Sequence, residues 1–93
     1  MGKKIIYISG PITGVPEYWR SFFAVEVKLV EQGFIVLNPA RLPAGMTNEQ
    51  YMRINFAMID AADAVYFLPG WENSKGATLE RNYCEYIGKE MLD

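Results

Sequence analysis

The sequence predicts an α/β fold, a three-layer flavodoxin- or Rossmann-like parallel sheet of three to four strands with helices on both faces. Three observations lead to this prediction. Short runs of β-branched and aromatic residues alternate with longer segments of helical periodicity. Glycine and proline stand at the boundaries between them. The short runs are apolar on both faces, which is typical of strands that helices cover on either side of a parallel sheet.

The first part of the chain predicts two strands and one helix. Lys4–Ser9 is a β-branched and aromatic run that ends at a Gly-Pro pair, so we expect the first strand there. Glu17–Gln32 has helical periodicity, and Pro16 can lie in its first turn. Phe34–Leu37 is a second apolar run, which Asn38-Pro39 ends. We therefore expect a β-α-β unit whose second strand is also buried.

The middle of the chain predicts a loop, a helix and a third strand. The loop spans Ala40–Met46 and contains proline and glycine. Thr47 is a suitable N-cap, and Gln50 three residues later completes a capping-box pattern. We expect this helix to reach about Ala62. Ala64–Leu68 then predicts a strand, because a Pro-Gly pair follows it.

The last part of the chain predicts a helix and a short strand. Asn73 or Ser74 caps a helix that runs to about Gly88, and Glu90–Leu92 fits a fourth strand. Such alternation implies right-handed crossovers between parallel strands. Ligands of these sheets bind beyond the carboxyl ends of the strands, where the strand order reverses. Three segments fall there, namely Ser9–Gly14, Asn38–Pro43 and Pro69–Gly76.

Length and composition favour one small domain over residues 1–93. Apolar residues make up 51% of the chain, which is enough for a core. The aromatic share of 14% predicts apolar surface that a homodimer or larger homo-oligomer would cover. The net charge is −2 and the basic residues are scattered, which disfavours binding to a nucleic-acid polymer.

Two residue types limit the chemistry. The chain has no histidine, which excludes histidine-based triads and histidine-ligated metals, and we expect neither a metal nor a cofactor. The single cysteine, Cys84, excludes an internal disulfide and fits a reducing compartment. The apolar run near the N-terminus is too short for a signal peptide or a membrane span. We expect a cytoplasmic protein, without membrane contact, whose proton chemistry uses carboxylates, tyrosine, lysine or the thiol.

Glu80 is the one charged residue on the apolar side of the last helix. At 100° per residue, that side holds Ala77, Leu79, Tyr83, Cys84, Tyr86 and Ile87. A carboxylate that faces the sheet costs free energy unless it is paired or used in chemistry. Glu80 also lies near the start of its helix, where the dipole favours the ionised form that a nucleophile needs. The alternative is a structural partner for Arg41, Arg53 or a backbone amide.

Two further polar residues lie among apolar neighbours on the earlier helices. Glu26 falls within the wide apolar side of the first helix and would fit a subunit contact. Asn55 lies among apolar residues of the middle helix, where it is either a core amide or a substrate contact.

Three side chains near the predicted binding edge also allow two interpretations. Tyr7 has its ring in the core, and its hydroxyl needs a partner, for which Glu80 is a candidate. Trp71 either stacks on a base or closes its loop. Ser74 either caps the last helix or holds a phosphate or a sugar hydroxyl.

Four segments together resemble the nucleoside 2-deoxyribosyltransferase-like family, including its short domains of uncharacterised function. The resemblance covers nearly the whole chain through Tyr7–Gly14, Asn38–Ala40, Ala62–Trp71 and Ser74–Glu80. The last segment is the most specific. In the family, the nucleophilic glutamate comes four residues after a glycine that opens a helix, as Glu80 comes after Gly76 here.

The resemblance implies an enzyme that cleaves the N-glycosidic bond of 2′-deoxynucleosides or their 5′-monophosphates. Glu80 would attack the anomeric carbon, and Tyr7 would orient Glu80 by hydrogen bonding. Asn55 would be the third catalytic residue. The deoxyribosyl-enzyme would then react with a second base or with water, which is the retaining logic of glycosidases. Substrate-binding residues would follow the strands, and we predict Ser9, Gly10, Pro11, Ile12, Asn38, Trp71, Ser74 and Gly76.

The sequence departs from the family pattern at two positions. Asn55 stands where the family usually has an aspartate, and an amide can bind a base but cannot act as an acid. A non-catalytic nucleotide-binding module of the same fold is therefore the alternative function. Ser74 stands where the transferase branch tends to have an aspartate. The nucleoside-monophosphate hydrolase branch has a serine there that contacts phosphate, so this position favours a deoxynucleotide.

Overall fold

A computed structural model describes residues 2–93 as a parallel four-stranded sheet with three α-helices. The strands are β1 (Ile5–Ser9), β2 (Ile35–Leu37), β3 (Ala64–Phe67) and β4 (Glu90–Leu92). The helices are α1 (Trp19–Glu31), α2 (Asn48–Ala61) and α3 (Lys75–Ile87), with short 3-10 turns at Pro39–Arg41 and Trp71–Asn73. The strand order is β2-β1-β3-β4, and every pairing is parallel. This architecture confirms the predicted fold class.

Alternate residues of β1 face opposite layers of helices. Ile6 and Ile8 pack with Phe22 and Leu29 of α1 on one face of the sheet. Tyr7 packs on the other face in a cluster that includes Ile59 of α2 and Cys84 of α3, and both are fully buried. The period of two along a strand therefore separates the two cores. It also turns Tyr7 and Ser9 towards α2 and α3.

Side-chain caps fix where α2 and α3 begin. Thr47 Oγ1 accepts a hydrogen bond from the Gln50 amide at 3.1 Å, and Gln50 Oε1 accepts one from the Thr47 amide at 2.9 Å. This is the predicted capping box. Ser74, rather than Asn73, caps α3, because its Oγ accepts from the Ala77 amide at 3.2 Å. Both caps matter for the site, since each sets the register of a helix that carries one of its side chains.

The predicted start of α1 is wrong. The helix begins at Trp19, and Pro16 and Glu17 lie in the turns before it. Glu17 has a φ of +53°, in the left-handed region, so a continuous right-handed helix cannot pass through it. Tyr18 is the N-cap residue instead.

Two burial expectations also need correction. β2 is an edge strand, so its first residue, Ile35, is 45% exposed and the strand is not fully buried. The apolar side of α3 is less buried than predicted, because Leu79 is 47% exposed and Tyr86 is 90% exposed. Within residues 2–93, no helix combines the length and the apolar character that a membrane span needs.

Candidate active site

The candidate site lies at the carboxyl edge of the sheet, where β1 and β3 run side by side. The chain continues from β1 towards β2 on one side and from β3 towards β4 on the other. The connections therefore diverge and leave a crevice above the two strands. Gly10 lets β1 leave the sheet close to β3, since a Cβ at this position would lie 2.8 Å from Leu68 Cδ1.

Glu80, in the second turn of α3, is turned into this crevice and is only 4% exposed. Its Oε1 accepts hydrogen bonds from Tyr7 Oη at 3.0 Å and from Ser9 Oγ at 2.7 Å. Its Oε2 accepts one from Asn55 Nδ2 at 3.2 Å. The predicted contact between Tyr7 and Glu80 is therefore present. Three neutral donors from β1 and α2 hold the carboxylate.

The arginines that were candidate partners for Glu80 are engaged elsewhere. Arg41 Nη2 lies 2.7 Å from Glu26 Oε2, and Arg53 pairs with Glu49 one turn earlier on α2. Among residues 2–93, no lysine or arginine forms an ion pair with Glu80. The structural ion-pair interpretation of Glu80 is therefore wrong, and the carboxylate is stabilised by hydrogen bonds alone.

Burial controls the acidity of this cluster. Desolvation raises the pKa of Glu80 above its ordinary value, while the hydrogen bonds from Ser9, Tyr7 and Asn55 act in the opposite direction. Burial, and then the nearby Glu80 charge, raise the pKa of Tyr7 well above its ordinary value. Tyr7 is therefore a permanent donor at physiological pH. Burial also raises the pKa of Cys84 to about 11, which makes this buried thiol a poor nucleophile.

A cavity of about 550 Å³ opens beside Glu80. A volume of this size is typical of small-molecule sites. Six of the predicted residues line it, namely Gly10, Ile12, Asn55, Ser74, Gly76 and Glu80. Tyr7 and Ser9 are not in its wall. They lie behind Glu80, where the Ser9 hydroxyl is occupied by the carboxylate rather than free for a substrate.

The N-terminus of α3 forms one end of the cavity. Ser74, Lys75 and Gly76 line it there. The first backbone amides of a helix have no intrahelical acceptor, and they favour an anion. Gly76 lets the start of α3 lie close to α2, because a Cβ on it would lie 3.3 Å from Met52 Cε.

Besides Ser9, three other predicted substrate-binding residues lie away from the cavity wall. Asn38 is 6% exposed, and both ends of its amide are occupied, by Glu26 at 2.8 Å and by the Ala40 amide at 2.9 Å. Trp71 packs against Phe67 and under the Arg81 guanidinium, 4.3 Å from its ring centroid, so it closes the loop. Pro11 also lies outside the lining residues. Contacts within the chain therefore occupy the side chains of Asn38 and Trp71, which were predicted to bind the substrate.

Sequence reasoning missed much of the opposite wall. It includes Thr13, Tyr18, Leu42, Asn48, Tyr51 and Met52. The α2 residues among them carried a usable signal, since positions 48, 51 and 52 share a helix face with Asn55. Tyr51 also holds the loop above the cavity, because its hydroxyl donates to the Pro43 carbonyl at 2.6 Å.

The described residues contain no cluster of three or more histidine, cysteine, aspartate or glutamate side chains that could hold a metal ion. What the site presents is a buried carboxylate, three neutral donors and a helix N-terminus around one cavity. Such a site can hold a small polar or anionic molecule and attack it with Glu80.

The fold and the site can be compared with an enzyme of known structure. A 2-desoxiribosyltransferase from Leishmania mexicana shares 25% sequence identity with the chain, at a TM-score of 0.70. The similarity covers 96% of this chain and 62% of that enzyme, so the chain spans a little under two thirds of the enzyme's length. The predicted resemblance to the nucleoside 2-deoxyribosyltransferase-like superfamily is confirmed. No curated protein sequence matches the chain.

One protein family also matches, over residues 4–93. This range includes every strand and helix from β1 to β4, and with them Tyr7, Asn55 and Glu80. The chain therefore belongs to the family described as "Domain of unknown function (DUF4406)".

Proposed function

We propose that this protein cleaves or transfers the N-glycosidic bond of 2′-deoxynucleosides or their 5′-monophosphates, with Glu80 as the nucleophile. The observation that carries the proposal is the state of Glu80. A carboxylate that is 4% exposed, has only neutral partners and stands beside a cavity is costly to keep in a fold. The similar enzyme, a 2-desoxiribosyltransferase, supports the same chemistry.

The hydrogen bonds around Glu80 distinguish its two oxygens. Oε1 accepts two hydrogen bonds, from Tyr7 and Ser9, whereas Oε2 accepts one, from Asn55. Oε2 is therefore the better nucleophile. It forms a bond to the anomeric carbon while the electron pair of the C–N bond leaves with the base. Water or a second base then displaces Glu80 and restores its carboxylate, which gives hydrolysis or transfer.

The N-terminus of α3 suits a 5′-phosphate. Ser74 is occupied as an acceptor by the Ala77 amide, but its hydroxyl can still donate. The first amides of α3 and the Lys75 ammonium add positive potential at the same end of the cavity. A nucleoside monophosphate would then place its phosphate at α3 and its anomeric carbon near Glu80.

Asn55 supports a second candidate function, a nucleotide-binding module without catalysis. An amide neither gives nor takes a proton at neutral pH, so it cannot assist a departing base as an aspartate could. Such a module would keep the cavity and the anion site of α3 but release no base.

Base release tests the first candidate directly. The protein is incubated with the four common 2′-deoxynucleosides and their 5′-monophosphates, and free base is measured by chromatography. Glu80→Ala should lower base release by at least about 1000-fold, because the bond-forming oxygens are gone. Glu85→Ala is the matched control, since Glu85 is exposed on the same helix, and it should match the wild type.

Each outcome separates the candidates. Activity that survives Glu80→Ala, in a variant that still unfolds cooperatively, removes Glu80 from the mechanism. If the wild type releases no base but deoxynucleotides raise its melting temperature, the binding module is favoured. If they do neither, both candidates fail.

Other sequence-based expectations stay predictions. They are a single domain over residues 1–93, a cytoplasmic location, a homodimeric or larger assembly, and a small nucleoside or nucleotide as the sole type of partner.

A further inference from the structure

The turn at residues 43–46 is held by a side chain of α2 instead of its own backbone. Ala44 and Gly45 are its central residues, and Gly45 has a φ of +100°. In such a turn the first carbonyl often accepts from the amide three residues later. Here these groups belong to Pro43 and Met46, and no hydrogen bond joins them within residues 2–93.

The Tyr51 hydroxyl links the two ends of the turn. It donates to the Pro43 carbonyl at 2.6 Å and accepts from the Met46 amide at 3.4 Å. A phenol can do both, because its oxygen is a donor and an acceptor. Across the described part of the chain, no other hydrogen bond reaches the backbone of residues 43–46. The position of the turn therefore depends on this one hydroxyl.

The turn belongs to the wall of the cavity. Leu42 directly before it and Ala44 within it both line the cavity beside Glu80, as does Tyr51. The side chains that hydrogen-bond to Glu80 come from β1 and α2, and Glu80 itself comes from α3. None of them lies on the turn. Tyr51 therefore fixes a wall of the cavity without contacting the reacting carboxylate.

We propose that Tyr51 is a positioning residue, whose hydroxyl fixes the turn at residues 43–46 in the place that a bound nucleoside or nucleotide requires. The inference rests on the proposed function, because that function names the ligand. A loop that is ordered before binding costs a ligand less free energy than a loop that becomes ordered on binding. The hydroxyl strengthens the binding of substrate and transition state alike, so it acts on KM and not on kcat.

Tyr51→Phe tests the proposal, because it removes the hydroxyl and keeps the ring. Base release from 2′-deoxynucleoside 5′-monophosphates is measured as kcat and KM, and their Kd is measured by calorimetry. KM and Kd should rise about 10-fold, the size expected for one to two lost hydrogen bonds, while kcat is unchanged. Tyr86→Phe is the matched control, since Tyr86 is 90% exposed and lies outside the cavity wall, and it should change none of these constants.

Gly45→Ala disturbs the same turn without changing Tyr51. A Cβ at Gly45 would meet no atom within 4 Å, but alanine disfavours a φ of +100°. KM should rise about 5-fold, again without a change in kcat. Gly33→Ala is the matched control, because Gly33 has a φ of +96° and equally open surroundings but lies outside the cavity wall. It should lose stability and keep the KM of the wild type.

The double variant of Tyr51→Phe and Gly45→Ala shows whether both changes act through the turn. Once the hydroxyl is absent, strain at Gly45 has little left to release. The rise in KM should then be smaller than the product of the two single rises. A general loss of stability would not couple the two changes in this way.

Five results would overturn the inference. They are an unchanged KM in Tyr51→Phe, an unchanged KM in Gly45→Ala, a fall in kcat instead of a rise in KM, single effects that multiply fully in the double variant, and an equal rise in KM in Gly33→Ala. Each leaves the proposed function intact as long as base release depends on Glu80.

Binding decides the inference if no nucleotide releases base and the proposed function fails. Tyr51→Phe should then weaken nucleotide binding about 10-fold, and an unchanged Kd would contradict the role of Tyr51. A wild type that binds no nucleotide overturns both the proposed function and the inference.

Discussion

Two glutamates of this fold are turned inward from helices, and their surroundings differ in one respect. Glu26 of α1 faces the Arg41 guanidinium at 2.7 Å and accepts from Asn38 Nδ2 at 2.8 Å. Glu80 of α3 has only the neutral donors Tyr7, Ser9 and Asn55. Both side chains are largely withdrawn from solvent. Only Glu26 has a counter-charge.

The acidities of the two groups shift in opposite directions. The hydrogen bonds from Arg41 have the largest effect and lower the pKa of Glu26. Desolvation acts in the opposite direction, and the hydrogen bond from Asn38 lowers the pKa further. Desolvation raises the pKa of Glu80, although its three hydrogen bonds oppose the shift. An inward carboxylate therefore does not mark a site by itself. The partner distinguishes them, because a paired carboxylate stabilises the fold and an uncompensated one is available to a substrate.

Among the tests of the contrast between Glu80 and Glu26, Ser9→Ala should have the largest effect, and it should act on base release. The Ser9 hydroxyl donates the shortest hydrogen bond to Glu80, at 2.7 Å, and it favours the ionised form. Its loss should raise the pKa of Glu80, so the acid limb of the kcat/KM profile moves to higher pH. Below this limb we expect base release to fall about 10-fold or more, since a hydrogen bond to a charged group contributes about 1.5–3 kcal/mol. Well above the limb, the loss should be small.

Ser21→Ala is the control for this experiment, because Ser21 is exposed on α1 and should leave the profile unchanged. A uniform loss at every pH in Ser9→Ala would mean that Ser9 only supports packing. An unmoved acid limb would contradict its role as a positioning residue for Glu80.

Smaller effects are expected on stability, with opposite signs for the two glutamates. Glu80→Gln should raise stability at neutral pH, because it removes a buried charge that the fold disfavours and lets Asn55 turn its oxygen towards the new amide. Glu26→Gln should lower it by about 1 kcal/mol, the size expected for a partly exposed ion pair with good geometry. In a domain of this size, about 1 kcal/mol corresponds to roughly 4–8 °C in Tm. Urea unfolding of both variants measures the difference.

The pH dependence follows from the directions of the shifts. Folding raises the pKa of Glu80. The contribution of this group to the stability of the wild type is therefore present in acid and is lost as the pH rises through the pKa of Glu80 in the folded protein. The gain in Glu80→Gln should therefore vanish in acid. The folded state lowers the pKa of Glu26, so its contribution is lost as pH falls through the folded pKa, and the deficit of Glu26→Gln should vanish there too. If both variants change the stability in the same direction at neutral pH, the contrast between the two glutamates is wrong.

Most of the fold could be predicted because local chemistry determines it. Thr47 and Gln50 form the capping box that their spacing indicates, and Gly88 ends α3 with a φ of +74°. The start of α1 could not be predicted, since the left-handed conformation of Glu17 is unusual for this residue type and leaves no sign in the sequence. The exposure of Ile35 depends on the strand order, which is a property of the whole sheet.

The site could be predicted in part, for a related reason. The burial of Glu80 follows from helix periodicity, and its contact with Tyr7 follows from the family resemblance and the strand face. Asn38 contacts Glu26 of α1, and Trp71 contacts Arg81 of α3. Sequence patterns do not indicate which of several polar or aromatic neighbours a side chain will contact. Ser9 shows the same limitation, because its position at the site was predicted and its contact with Glu80 was not.

The most direct test is an NMR titration of the glutamate side-chain carboxyl carbons, with Glu80→Gln and Glu26→Gln to assign the two resonances. Glu80 should titrate above the ordinary glutamate value of about 4.3, and Glu26 should titrate below it. A Glu80 midpoint at or below that value would show that the folded protein compensates its charge, and this would contradict the account.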